Sequence, residues 1–178
     1  GLSKTKDASG MNNKVTGVLN IPLIDNQLAV RMVAYRYENQ GYTDIVSSDD
    51  ADMQALALAT GAGLLDESGV GDTEFSGGRV SLLWQPNDEW KVTLMHVTQD
   101  TEQDGFNEAV IEKGGYQNLA FDWAGHLGGG ELLGEDVDIT NLVVEYDLGW
   151  GSLLSSSTIK EGETELFRDL SRIGSGFA

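Results

Sequence analysis

Three tight polar turns alternate with two long loops along this chain of 178 residues. The turns are Leu23–Gln27, Gln85–Glu89 and Tyr146–Trp150, and the loops are about 40–76 and 100–137. Strands that are joined by tight turns at one end and by long loops at the other form an up-and-down meander whose two ends differ. The pattern therefore predicts an antiparallel all-β fold, and soluble sheets rarely keep so strict an asymmetry.

Six strand candidates flank these turns, because apolar and polar residues alternate there with the period of two that a strand shows. They pair as hairpins at about 14–38, 78–98 and 138–160. In the clearest hairpin, Val80, Leu82 and Trp84 share one face, and Trp90 lies on the matching face across the turn. Strands of roughly nine to twelve residues exceed the usual globular length and suit an oblique crossing of a bilayer.

Long alternating strands with tight turns at one end and long loops at the other are typical of bacterial outer-membrane barrels. Trp84, Trp90 and Tyr146 stand beside the turns, where a barrel places its membrane-interface aromatic residues. The alternative for the two tryptophans is a half-buried position in an ordinary core. We predict about six long strands that form part of a transmembrane outer-membrane β-barrel.

The facing of two strands stays open. In the first hairpin Gln27, Arg31 and Arg36 do not share one parity, which predicts either a β-bulge or a mixed face. In the last strand, Ser155–Thr158 blurs the alternation, so its facing is undecided.

Composition excludes several classes of protein. A net charge of -18 disfavours nucleic acid as a partner, because phosphates would be repelled, and the absence of Cys disfavours a disulfide scaffold. The sequence contains no run of about 18 apolar residues, so no transmembrane helix is predicted. Residues 1–13 lack the apolar core of a signal peptide, and we expect the chain to be a fragment of a longer protein.

The two long loops carry much of the acid. The first has no Lys or Arg, and Lys113 is the only basic residue of the second. Within the first, Ala51–Leu58 is predicted to form a short surface helix behind the candidate caps Ser48 and Asp49, before Gly61 and Gly63 end it.

The second loop is also rich in aromatic residues. They are Phe106, Tyr116, Phe121 and Trp123. These rings either present stacking surfaces to a ligand or pack within the loop, and burial of apolar rings favours packing.

The sequence shows almost no combination of residues typical of a catalytic site, so we do not expect an enzyme. His96 and His126 are far apart and lack the spacing of a zinc site, and His96 is expected on a strand. Ser155–Ser157 lacks a nucleophile elbow and a nearby His-Asp pair. No cofactor is predicted.

One acidic segment resembles the start of a calcium loop. Asp100, Glu102 and Asp104 alternate before Gly105, but Ile111 occupies the twelfth position, where an EF-hand needs Glu. These three acids are weak metal candidates, and the alternative is a solvated acidic surface.

Several short segments resemble, in order and spacing, the barrel of TonB-dependent receptors. They are Val18–Leu23, Leu28–Arg31, Gly41–Tyr42, Gly77–Asn87, Gln99–Asp100, Tyr146–Gly151 and Ser155–Thr158. The resemblance covers about 14–168. Each segment alone is weakly specific, and their ordered combination is much more so.

This resemblance implies a barrel of about 22 strands with an N-terminal plug, located in the bacterial outer membrane. The family imports iron chelates such as siderophores, cobalamin or carbohydrates, and is energised by the TonB complex through a TonB-box peptide. The plug, the TonB box and the closing strand are missing from this sequence. Its implied partners are outer-membrane lipid, the TonB complex and a small-molecule ligand.

Candidate ligand-binding residues follow from that function. In the loops they are Tyr116, Phe121, Trp123, Asp104 and Glu108, and on lumen-facing strand positions they are Arg79, Lys91 and Glu145. Two alternatives remain: a soluble or secreted all-β module that binds calcium or carbohydrate through acidic loops, and a barrel segment with no activity of its own.

Overall fold

The computed structural model of the protein describes residues 1–110, 115, 117–122 and 131–168. Twelve strands are present in this part of the chain. They are β1 Leu2–Ser3, β2 Asn12–Ile24, β3 Leu28–Asn39, β4 Thr43–Val46, β5 Gly63–Leu64, β6 Asp66–Val70, β7 Asp72–Trp84, β8 Trp90–Asp104, β9 Gln117–Asn118, β10 Phe121–Asp122, β11 Leu132–Asp147 and β12 Ser152–Phe167. One α-helix, α1, runs from Ala51 to Thr60.

Seven strands form an antiparallel sheet in the order β1-β2-β3-β7-β8-β11-β12. The sheet is open, with β12 at one edge and β2 at the other, where β1 covers only Asn12 and Asn13. The prediction of long antiparallel strands in a meander is therefore confirmed, in a structure that is mostly β and whose sheet is neither closed nor curled. No helix in the described ranges is long and apolar enough to cross a membrane.

The long strands reach further from the turns than predicted. β7 begins at Asp72 and β8 ends at Asp104, so their pairing runs through the acidic segments assigned to loops. β11 and β12 likewise pair from Asp147 with Ser152 up to Leu132 with Phe167. The connections at this end of the sheet are correspondingly shorter than the sequence suggested.

Side chains at the tight turns explain why the chain reverses there. Asn26 has a φ of 57°, a left-handed conformation that Asn tolerates better than most residues. The Asn87 carboxamide oxygen accepts hydrogen bonds from the Glu89 and Trp90 amides. The Asp147 carboxylate accepts one from the Gly149 amide. These local bonds replace backbone pairing at the points of reversal.

The register assigns every strand residue to one of two faces, because directly paired residues of an antiparallel sheet point the same way. We call the face that carries Trp84 and Trp90 the tryptophan face, and the opposite one, which carries Arg31 and Arg79, the arginine face. A register shift lies between Pro22 and Ile24 in β2, but β3 pairs with β7 without interruption from Leu28 to Asn39, so the open question about the arginines is decided in favour of a mixed face. In β3, Arg31 and Arg36 lie on opposite faces.

The two long loops fold together beyond the open ends of the hairpins. β4 pairs with β6 from the first loop and with β9 from the second, and β5 pairs with β10. Ile45, Val70 and Ala120 form a small buried core. The Ser47 hydroxyl donates to the Ala120 carbonyl at 2.6 Å and accepts from its amide at 2.9 Å. One buried serine thus joins the two loops.

Helix α1 lies where the sequence predicted it, although its cap differs. Asp50, and not Ser48 or Asp49, accepts hydrogen bonds from the amides of Asp52 and Met53. Gly61 ends the helix with a φ of 76°, which glycine adopts without steric cost.

Candidate functional site

The half of the tryptophan face nearest the tight turns is an exposed apolar band. Its members come from all six long strands and lie in rows set by the register. They are Ile21, Leu19, Val30, Met32, Val80, Leu82, Leu94, Val92, Leu142, Val144, Leu153 and Ile159. Leu94, on a central strand, is still 43% exposed. In the described residues nothing covers this band.

The aromatic residues predicted for a membrane interface lie together at the margin of the band nearest the tight turns, which we call its lower margin; the opposite margin, towards the long loops, is the upper one. Trp90 pairs directly with Tyr146, and their rings are 4.4 Å apart between centroids. Trp84 stands one row higher on the neighbouring strand. All three lie on the tryptophan face beside the turns, which is the arrangement that the sequence predicted.

The band has polar interruptions. His96 and Thr140 share its upper row, where the His96 Nδ1 lies 3.0 Å from the Thr140 hydroxyl and its Nε2 lies 3.6 Å from an Asp138 oxygen. His96 is on a strand, as expected. On the edge strand β12, Ser155 and Ser157 point to the tryptophan face.

Above the band, the same face becomes a wall of carboxylates. Its acids are Glu38, Asp72, Glu74, Asp100, Glu102, Asp104, Asp136, Asp138, Glu161, Glu163 and Glu165. Arg36 bridges two of them, lying 2.7 Å from Glu74 and 3.0 Å from Glu38. The metal candidates Asp100, Glu102 and Asp104 belong to this wall. The described residues contain no group of three or more His, Cys, Asp or Glu side chains arranged to hold a metal ion.

Asp100 and Asp136 face each other directly across β8 and β11. A side-chain hydrogen bond with Asp136 raises the pKa of the Asp100 carboxyl above its ordinary value, and partial desolvation and the charges of Asp136, Asp138 and Glu102 act in the same direction. The folded state therefore holds this proton more tightly than the unfolded chain does.

This pair predicts a pH effect on stability. The free energy of unfolding should rise as pH falls through the raised pKa of Asp100 towards the ordinary value of about 3.9, because the unfavourable like-charge contact is relieved. In Asp136→Asn, the amide replaces the charge, so the gain on acidification should be smaller. Denaturation midpoints measured between pH 7 and pH 4 test this, with Glu89→Gln in a turn as the control. Equal pH slopes for Asp136→Asn and the parent would contradict it.

The arginine face is different in character. Arg79, Lys91 and Glu145, predicted to face a lumen, all lie on it, and the Lys91 ammonium donates to the Glu145 carboxylate at 2.9 Å. The register adds Arg31 and Lys160, which the sequence argument left out. Arg31 could have been found from its parity, since it lies opposite the apolar Val30 and Met32 in the same strand.

Aromatic and amide groups occupy the upper part of the arginine face. The rings of Tyr35 and Tyr37 stack with 5.2 Å between centroids, and the Lys14 ammonium lies 4.4 Å from the centroid of Tyr37. The Tyr35 hydroxyl donates to the side-chain carbonyl of Gln99 at 2.7 Å. Tyr35 on β3 reaches β8 in this way across Gly77 of the intervening strand β7.

The candidate ligand-binding residues of the two long loops differ in their exposure and in their contacts. Phe121 is 2% exposed, which favours the packing alternative for this ring, whereas Asp104 is on the exposed acidic wall. Glu108 forms an ion pair with Arg168, whose guanidinium lies 5.3 Å from the centroid of Phe106. Tyr116, Trp123, Lys113 and His126 lie outside the described residues.

No protein-family profile matches the chain, and comparisons with curated proteins and with solved structures find no match either.

Proposed function

We propose that the chain forms part of the wall of an outer-membrane TonB-dependent receptor that imports a siderophore-iron complex, cobalamin or a carbohydrate into the periplasm. The observation that carries the proposal is the exposed apolar band on one face of long strands, bordered by an aromatic row at the tight turns. A soluble sheet exposing this face to water would be an aggregation hazard, whereas lipid would cover it.

The height of the band agrees with this placement. The stretch from Trp90 to Thr98 extends about 27 Å along β8 at about 3.4 Å per residue, within the range of strands that cross a bilayer obliquely. Asp138 and Glu161 lie in the row of Thr98 at the top of this stretch, and Asp100 and the rest of the carboxylate wall lie above it. The long loops then lie on the outer side, and the arginine face lines the lumen.

The open edges of the sheet support a larger wall. In a bilayer, unpaired backbone groups along β2 and β12 carry a free-energy cost, because no water is available to bind them. Further antiparallel strands on both sides would satisfy them. The partners in this proposal are outer-membrane lipid, a plug and the TonB complex, with the nutrient descending past the loops.

Folding into lipid tests the placement. The chain should acquire β structure when diluted from denaturant into vesicles of short-chain phosphatidylcholine. In a variant with Trp123→Phe and Trp150→Phe, the fluorescence of the remaining Trp84 and Trp90 should be quenched by lipids brominated near the carbonyl groups. A monodisperse chain that unfolds cooperatively in plain buffer would overturn the membrane placement and favour a soluble module.

The receptor assignment has its own test. The coding region on both sides of this sequence should encode a plug, a TonB box and further alternating strands. Flanking sequence that encodes an unrelated soluble protein would overturn the assignment.

A further inference from the structure

Charged side chains of the six long strands are sorted between the two faces. On the tryptophan face, Arg36 is the only Lys or Arg among the described strand residues, and it is surrounded by carboxylates. The arginine face has the reverse balance. Its cations are Lys14, Arg31, Arg79, Lys91 and Lys160, and its acids are Glu135, Glu145 and Asp147. A chain with a net charge of -18 thus presents one locally positive surface.

Arg31 and Arg79 lie at the centre of this surface. They are on adjacent strands, and because Arg31 pairs with Ser81 and Arg79 with Val33, they are diagonal neighbours with Cα atoms roughly 7 to 8 Å apart. Neither forms an ion pair within the described part of the chain. Both guanidinium groups therefore have their charge free for an external partner.

Arg79 gives an independent indication of a missing partner. Its side chain is half-buried, and its Nε is shielded from solvent without any hydrogen-bond partner among the described residues. A guanidinium stays charged at any ordinary pH, and a shielded charged donor without an acceptor is costly. A solute oxyanion that draws the Arg79 side chain outward would expose this nitrogen, supply the acceptor and remove that cost.

We infer that Arg31 and Arg79 form the centre of an anion-binding site on the arginine face, which takes a small solute bearing phosphate or carboxylate groups. Two guanidinium forks at this spacing suit an oxyanion, because each fork matches two acceptor oxygens. Asn20 and Ser81, in the same cross-strand row as Arg31, add uncharged hydrogen-bonding groups. Only the location of this site in a lumen rests on the proposed function. If the arginine face does line the lumen, the imported ligand is an anion.

Titration of the full chain, folded in non-ionic detergent micelles, tests the site. Pyrophosphate supplies the phosphate arm, succinate the carboxylate arm and raffinose a neutral control. At least one of the two anions should bind saturably by calorimetry and shift the Arg79 Nε–H resonance, whereas raffinose should do neither. Failure of both anions to bind would overturn the inference, as would equal binding of raffinose.

Variants separate this site from general charge attraction. Arg31→Gln and Arg79→Gln should each weaken anion binding about tenfold or more, since each removes a charge-assisted pair of hydrogen bonds. Arg36→Gln is the matched control, because it removes the same charge from the same strand as Arg31 but on the other face, and it should leave affinity unchanged. An equal loss in Arg36→Gln would overturn the site.

The outcomes also separate this inference from the membrane placement. If the chain folds into vesicles but binds neither anion, the anion site is wrong and the placement stands. If binding of either anion depends on Arg31 and Arg79 but the chain folds cooperatively in buffer without lipid, the anion site stands and the assignment of the arginine face to a lumen is wrong.

Discussion

Replacing Leu82 and Leu94 together by arginine is expected to prevent the chain from folding into lipid vesicles. The two leucines pair directly on the central strands β7 and β8, and they lie in the middle of the apolar band. An arginine facing lipid near the bilayer midplane costs about 2 to 4 kcal/mol, so the pair should offset most of the stability of a small sheet. The measurement is the fraction of chain that becomes protease-resistant after dilution into vesicles.

The matched control places the same charges at the same height on the other face. Ser81 and Met95 also pair directly across β7 and β8, one residue away, but they point to the arginine face. Ser81→Arg with Met95→Arg should leave insertion largely intact, because a polar lumen accepts charge. If both double variants inserted equally well, or both failed equally, the tryptophan face would not be the lipid face.

The six strands could be predicted because their turn-proximal halves alternate apolar and polar residues. The halves of these strands nearest the long loops could not be predicted from the sequence. In β7, Asp72, Glu74 and Ser76 alternate with Thr73 and Phe75, so acidic and polar residues occupy the positions where a strand pattern normally shows apolar residues. Acidic residues are depleted in strands, and such a segment reads as a loop until its cross-strand partners are known.

The contact between the two long loops was equally beyond sequence reasoning. Ser47 and Ala120 are far apart in the chain and meet only after the hairpins have aligned. The burial of Phe121 follows from that meeting. By contrast, the aromatic row and the facing of Arg79, Lys91 and Glu145 were predictable, because strand parity alone decides on which side of a sheet a residue lies.

Gly77→Ala is expected to cause a large loss of stability in the centre of the sheet. A Cβ added at Gly77 would clash with the Thr98 carbonyl oxygen and would lie 2.9 Å from the Tyr35 hydroxyl oxygen. The first neighbour is backbone of a paired strand and cannot move without disturbing the ladder between β7 and β8, and the second is held by its hydrogen bond to Gln99. Overpacking of this kind costs about 3 kcal/mol, measured as a lower denaturation midpoint in micelles.

Two variants identify the cause of that loss. Gly17→Ala, in β2, adds the same methyl group with nothing within 4 Å of it, so it should be neutral or slightly stabilising. Tyr35→Phe removes only the hydroxyl that bonds Gln99 and should cost about 1 kcal/mol. In the Gly77→Ala, Tyr35→Phe double variant, part of the loss should be recovered, because one of the two close neighbours has gone. A Gly77→Ala midpoint close to that of the parent would show that neither the Thr98 carbonyl nor the Tyr35 hydroxyl crowds this glycine.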